Sequence, residues 1–181
     1  MQIGLKNQLV RFLITGSLLY IGWLSLYEFY LHPQTAFDSS IISALRVCTE
    51  QVLQAVGYTL TNYNNDFAAP QQHVGIAGSG GLTVGAPCDG VVLYVLFICF
   101  IIAFPGPVKH KAWFLPIGAL SVFAVNVLRI AALAVIVYVN PDWLAFNHDY
   151  TFTLLVYSYV FGLWMLWVKK FSPLGEGVLA D

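Results

Sequence analysis

The chain has 181 residues, 59% of them hydrophobic and only 9% charged, with 8 Lys and Arg against 9 Asp and Glu for a net charge of -1. Ordinary soluble domains carry roughly 25% charged residues, so this composition lacks the polar surface a soluble fold needs and implies an integral membrane protein. A near-neutral chain without a basic stripe also excludes electrostatic recognition of nucleic acid.

Four apolar runs are the candidate membrane spans: residues 10–31, 88–105, 113–139 and 150–168. A hydrocarbon core of about 30 Å takes roughly 20 helical residues. Lys6 and Arg11 stand at the start of the first run, which is too long for the apolar core of a signal peptide, about 7–15 residues, and lacks a small-x-small cleavage site. It reads as an uncleaved signal anchor. Lys109 and Lys111 separate the second and third runs, and Lys169 and Lys170 follow the fourth. Retained cytoplasmic segments are rich in Lys and Arg, so both termini are expected in the cytoplasm and residues 32–87 and 140–149 outside.

The first exterior segment opens with Asp38 and Ser39, caps for a helix running to about Gly57. Ile41, Leu45, Cys48, Val52 and Val56 recur at helical spacing, while Arg46, Glu50, Gln51 and Gln54 occupy the other face. Such a helix is expected to lie on the outer membrane surface or over the helix bundle. Residues 62–70 have the composition of a loop. Alternation then appears at Val74 and Ile76 and again at Leu82 and Val84, on either side of Gly78-Ser79-Gly80-Gly81, which predicts a short β-hairpin. The expected fold is therefore an all-α integral membrane protein, a single membrane domain over residues 1–181. It has about four transmembrane helices, an exterior amphipathic helix, a short β-hairpin, and a patternless cytoplasmic tail at 171–181.

Pro87-Cys88-Asp89-Gly90 follows the hairpin directly. Proline favours the first helical position, so Cys88 is expected in the first turn of the second span, where the helix dipole and a nearby cation favour the thiolate and Asp89 opposes it. This is the setting of a nucleophile. The plainer reading makes Cys88 a small hydrophobe or the disulfide partner of Cys48. Cys99 lies mid-span and reads as packing.

The third run, 27 residues long, carries Asn126 and, one helical turn on, Arg129. An arginine at that depth costs several kcal/mol unless it faces a polar pocket, which makes it a functional candidate; the alternative is a structural counter-ion, most plausibly to Glu28. His148, just before the fourth run, can exchange protons near neutral pH. His32, His73 and His110 lack comparable partners, and the exterior His and Cys residues show no metal-ligand spacing.

An exterior Cys opening one span, Asn-x-x-Arg within the next and a His just before the last together resemble the exosortase and archaeosortase family of transpeptidase-like membrane enzymes. The likeness covers roughly residues 75–170. In that family the residue after the Cys is usually small, where this chain has Asp89. The resemblance implies Cys88 as nucleophile, Arg129 as electrostatic stabiliser and His148 as acid and base, with Asn126 in support. It further implies no cofactor, and as partners the lipid bilayer and exported proteins that end in a short motif, a membrane span and a basic tail. Val74, Gly80 and Gly81 of the hairpin, with Asp89, are the candidate substrate contacts. The chief rival is a non-enzymatic membrane module in which Arg129 anchors a partner's span or a lipid head group.

Overall fold

The computed structural model describes residues 2–31 and 36–172; His32 and the tail beyond Ser172 lie outside the described residues. The protein is mostly helical, with one two-stranded antiparallel hairpin. The helices are α1 (Gln2–Leu26), α2 (Ala36–Ala55), α3 (Val91–Ala103), α4 (Val108–Val139), α5 (Leu144–Phe146) and α6 (Phe152–Phe171). The strands are β1 (Gln71–Val74) and β2 (Leu82–Gly85).

Three helical segments are long and apolar enough to cross a membrane: Val10–Tyr30, Val108–Val139 and Pro141–Phe171, with mean hydropathies of 1.3, 2.4 and 1.6. The second run falls short of the expected four. Its helix α3 has 13 residues, about 20 Å at 1.5 Å per residue. Two devices shorten it. Asp89 Oδ1 accepts the Val91 N–H at 2.8 Å and so starts the helix three residues after Cys88. At the other end Pro105 and Pro107 have no N–H with which to continue the helix, and Lys111 Nζ donates to the Ile102 and Phe104 carbonyls at 2.7 and 2.8 Å. Conversely α4 runs for 32 residues, about 48 Å, because the helix begins at Val108 and takes in Lys109, His110 and Lys111.

The chain forms two compact units. The first comprises residues 1–27, 92–122 and 157–181. Its core is aromatic: Phe97 and Trp167 are fully buried, with Phe104 and Phe114 nearly so. A side chain at Gly118 would run into the Phe97 ring, so close packing of α4 there depends on glycine.

The second unit comprises residues 28–91 and 123–156 and holds every residue of the candidate site. Helix α2 ends in a Schellman motif: Tyr58 N–H bonds Leu53 O at 3.0 Å, Gly57 N–H bonds Gln54 O at 2.9 Å, and Gly57 has φ 99°. The helix starts at Ala36, so Asp38 and Ser39 sit inside its first turn and are buried rather than flanking it. Its inner face is Ile42, Leu45, Arg46, Thr49 and Leu53, rotated about one position from the face the sequence suggests. Arg46 turns inward because it has partners there. Its Nε donates to Gln72 Oε1 and its Nη1 to Glu50 Oε1, both at 2.7 Å, and its guanidinium stacks 5.1 Å from the Phe67 ring centre.

The hairpin forms with Gln71 opposite Gly85, Gln72 opposite Val84, His73 opposite Thr83 and Val74 opposite Leu82. Val74, Ile76, Leu82 and Val84 are buried together on one face, as the alternation requires. They join Ile42, Leu45 and Leu53 of α2 and Val127, Ile130, Ala131, Leu133 and Ala134 of α4 in a single hydrophobic core, with Cys88 at its margin.

Candidate active site

Cys88 closes a 3-10 turn, Ala86–Cys88, instead of opening a long helix. Pro87 does favour a helical start, but the helix it starts lasts one turn. Asp89 then caps the next helix, and Gly90, at φ 77°, carries the backbone through a left-handed step that a side chain would resist. Cys88 therefore precedes the first turn of α3 and does not occupy it. The residue is 9% exposed. Burial pushes its pKa up; the Arg129 guanidinium and then the Gly85 backbone N–H pull it back, and Asp89 adds a smaller upward push. Burial wins, and the resting thiol is held in its protonated form.

His148 lies in a π-helical turn, Asn147–Thr151, that leads into α6. The exterior segment before the last span is thus helical almost from Pro141 onward, through a 3-10 turn, α5 and this π turn. Thr153 Oγ1 donates to the His148 carbonyl at 2.9 Å and ties the turn to α6. The wide turn carries the imidazole to the thiol: Cys88 Sγ and His148 Nε2 are 3.4 Å apart. His148 Nδ1 lies 2.8 Å from Asp149 Oδ1. A carboxylate can only accept, so Nδ1 carries the proton and Nε2 presents its lone pair to the S–H. Cys88, His148 and Asp149 form a hydrogen-bonded line of nucleophile, base and orienting carboxylate, the relation generalised from the serine proteases.

Asn126 and Arg129 share a face of α4, and both are buried. Asn126 Nδ2 donates to the Cys88 carbonyl at 2.9 Å, which fixes the turn that carries the thiol. Arg129 is 8% exposed, and its Nε has no hydrogen-bond partner among the described residues. Glu28 is exposed and forms no ion pair with Arg129 among the described residues, so the counter-ion alternative finds no support. No disulfide links Cys48 to Cys88; Cys48, Cys88 and Cys99 are all free.

A cleft of about 560 Å³ opens beside the thiol, lined by Gly81, Leu82 and Thr83 of the hairpin, by Cys88, and by Pro141, Asp142, Leu144, Ala145, His148 and Asp149 of the segment that leads into α6. Of the four candidate substrate contacts, Gly81 alone lines it. Val74 is buried in the hydrophobic core, Asp89 is buried as the α3 cap, and Gly80 is exposed outside the lining. Gly81 holds a positive φ of 73°, and a side chain there would run into the Tyr63 hydroxyl.

Sequence reasoning missed two residues. Asp149 was visible as the neighbour of His148, but adjacent residues on a helix do not ordinarily face each other, and the π turn that lets them meet leaves no mark in the sequence. Thr83 lies between Leu82 and Val84 of the alternation, and nothing in the sequence sets it apart. No protein-family model matches this chain, and no curated protein or solved structure does.

Proposed function

We propose that the chain is a membrane-embedded cysteine peptidase or transpeptidase of exosortase type, which cuts C-terminal sorting segments from exported proteins at the outer face of the cytoplasmic membrane. The observation that carries this reading is the line from Cys88 Sγ to His148 Nε2, 3.4 Å, and from His148 Nδ1 to Asp149 Oδ1, 2.8 Å, in the lining of an open cleft. A packing cysteine does not call for a base oriented by a carboxylate.

The chemistry follows from a protonated resting thiol. As Cys88 Sγ attacks the substrate carbonyl carbon, its proton passes to His148 Nε2 and Asp149 supports the imidazolium. The carbonyl oxygen becomes an oxyanion, which the Arg129 guanidinium stabilises; one such donor is worth about 2.7–4 kcal/mol in soluble enzymes. Collapse of the tetrahedral adduct breaks the C–N bond, and His148 protonates the departing amine. The remaining thioester is attacked by water or an acceptor nucleophile, which gives its proton to His148, and the thiol leaves with that proton. No cofactor enters this cycle.

Four membrane crossings, with both termini cytoplasmic and α2 on the exterior, accompany the proposal. Basic residues flank the first run and follow the last, and both clusters reach the same side only if the number of crossings is even. Helix α3 is then a short fourth crossing, with Cys88 outside it at the exterior boundary where a sorting segment enters the bilayer.

The test is to compare the C-termini of exported membrane proteins in cells carrying the wild type, Cys88→Ala, His148→Ala or Asp149→Asn. Cys88→Ala and His148→Ala are expected to leave C-terminal spans attached on proteins that end in a motif, a span and a basic tail. Asp149→Asn is expected to slow processing by about 10–100-fold, short of the ~10⁴-fold loss at a buried triad aspartate, because Asp149 is 63% exposed. Unchanged C-termini in Cys88→Ala would instead establish the binding-module reading.

A further inference from the structure

The hairpin has two edges, and among the described residues only one is occupied. His73 of β1 uses both of its backbone groups on the side chain of Asn65: its N–H donates to Asn65 Oδ1 at 2.7 Å and its C=O accepts from Asn65 Nδ2 at 2.8 Å. The same edge is continued by Thr61 N–H to Gly75 O at 3.0 Å and Ala77 N–H to Thr59 O at 2.8 Å. That edge is closed to any further strand.

The same bonds fix where β2 points. Because the His73 N–H and C=O turn away from β2, His73 and its partner Thr83 form a non-hydrogen-bonded pair of the antiparallel ladder. The Thr83 N–H and C=O therefore point to the opposite, outer edge. Among the described residues no loop or side chain is hydrogen-bonded to them. Thr83 is exposed and lines the cleft with Cys88 and His148. Two residues on, the next outward-facing amide is that of Gly85, which stabilises the Cys88 thiolate. The free edge of β2 thus runs from an unused donor–acceptor pair directly to the sulfur.

We infer, resting on the peptidase reading above, that the substrate docks as an added extended strand on the outer edge of β2, exchanging hydrogen bonds with the N–H and C=O of Thr83. The reacting carbonyl lies two residues along that strand, about 6.5–7 Å at the rise of an extended chain. The occupant is the sorting motif of an exported protein, bound extended in the cleft that Thr83 shares with Cys88, His148, Leu144 and Ala145. Residues flanking the anchored one turn toward the face of Leu82, where Leu144 and Ala145 call for small or apolar side chains.

Thr83→Pro tests this with little cost to the hairpin, since the N–H it removes is not used by β1 and proline is tolerated on an edge strand. Thr83→Val keeps the backbone and is the control. With an exported protein whose processing depends on Cys88, Thr83→Pro is expected to be cleaved about tenfold or more slowly than Thr83→Val, which shares the loss of the hydroxyl, and both should keep the wild-type rate of Cys88 alkylation by iodoacetamide, which needs no docked strand. Normal processing by Thr83→Pro overturns the strand-docking inference and leaves the peptidase reading intact, whereas processing that survives Cys88→Ala sinks both. Should Thr83→Pro alter the alkylation rate, an ester-for-amide scan of the substrate through the three residues on either side of the cleaved bond decides. A sharp loss at a single position two residues from the reacting carbonyl supports docking on Thr83, and a flat scan overturns it.

Discussion

At the scale of single residues, the site rests on a thiol that is buried and therefore protonated at rest. Desolvation disfavours the thiolate, so the Cys88 pKa lies above the ordinary cysteine value of 9.0 despite the Arg129 cation. The sign of each neighbour's effect is testable. The rate of Cys88 alkylation by iodoacetamide, followed against pH with Cys48 and Cys99 replaced by alanine, is expected to rise with a midpoint above 9.0 in the otherwise wild-type chain. Arg129→Gln removes a charge that favours the thiolate and moves the midpoint further up. Asp89→Asn removes one that opposes it and moves the midpoint down, while still able to accept the Val91 N–H. A wild-type midpoint below 9.0 would contradict the dominance of burial, and one below the working pH would mean a preformed thiolate, leaving His148 no proton to take in the first step. The opposing effects of cation and carboxylate on Cys88 were legible in the sequence, but their outcome was not, because burial outweighs both and burial is a property of the core assembled from α2, the hairpin and α4.

Among the elements, α3 decides the topology. The hydropathy of residues 88–105 suggests a full span, and the backbone gives a 13-residue helix because Asp89 caps its start and Pro105 and Pro107 cannot continue it. Asp89 claims the first free N–H and Lys111 the last free carbonyls. Both residues are visible in the sequence, and Asp-Gly before an apolar run is a helix-start signal that the preceding proline obscured. Whether α3 crosses is answered by its flanks. A cysteine placed at exposed Lys109, in a chain with Cys48, Cys88 and Cys99 replaced by alanine, is expected to react with a membrane-impermeant maleimide only after the membrane is opened, and a cysteine at exposed Thr83 in intact cells. Labelling of both positions from the same side would remove α3 from the set of crossings and with it the cytoplasmic placement of both termini. The rotated face of α2 has a different origin. Arg46 reads as a surface cation until Gln72, 26 residues away, supplies a buried acceptor, and one sequence gives no sign of so distant a pairing.

For the whole molecule, the features legible in advance were those set by composition and by period: a mostly helical chain, membrane-length helices over three of the four expected runs, and the hairpin. Cys88, Asn126, Arg129 and His148 stood out in the sequence as candidates. The structure gathers all four in one compact unit, with Asn126 on the Cys88 carbonyl, Arg129 acting on the thiol through its charge and His148 on the sulfur. Local backbone irregularity was not legible. The 3-10 turn at Cys88, the π turn at His148 and the left-handed Gly81 and Gly90 arise where several weak preferences are overridden by packing, and these are the positions that aim the reactive groups. The central claim is that Cys88 becomes covalently acylated. Wild-type protein mixed in detergent with an exported substrate, quenched in acid and digested, is expected to carry the substrate's N-terminal portion on the Cys88 peptide by mass spectrometry. That adduct should be released by neutral hydroxylamine and be absent from Cys88→Ala. Cleavage of the same substrate by Cys88→Ala, or an acyl group on any other residue, would contradict it.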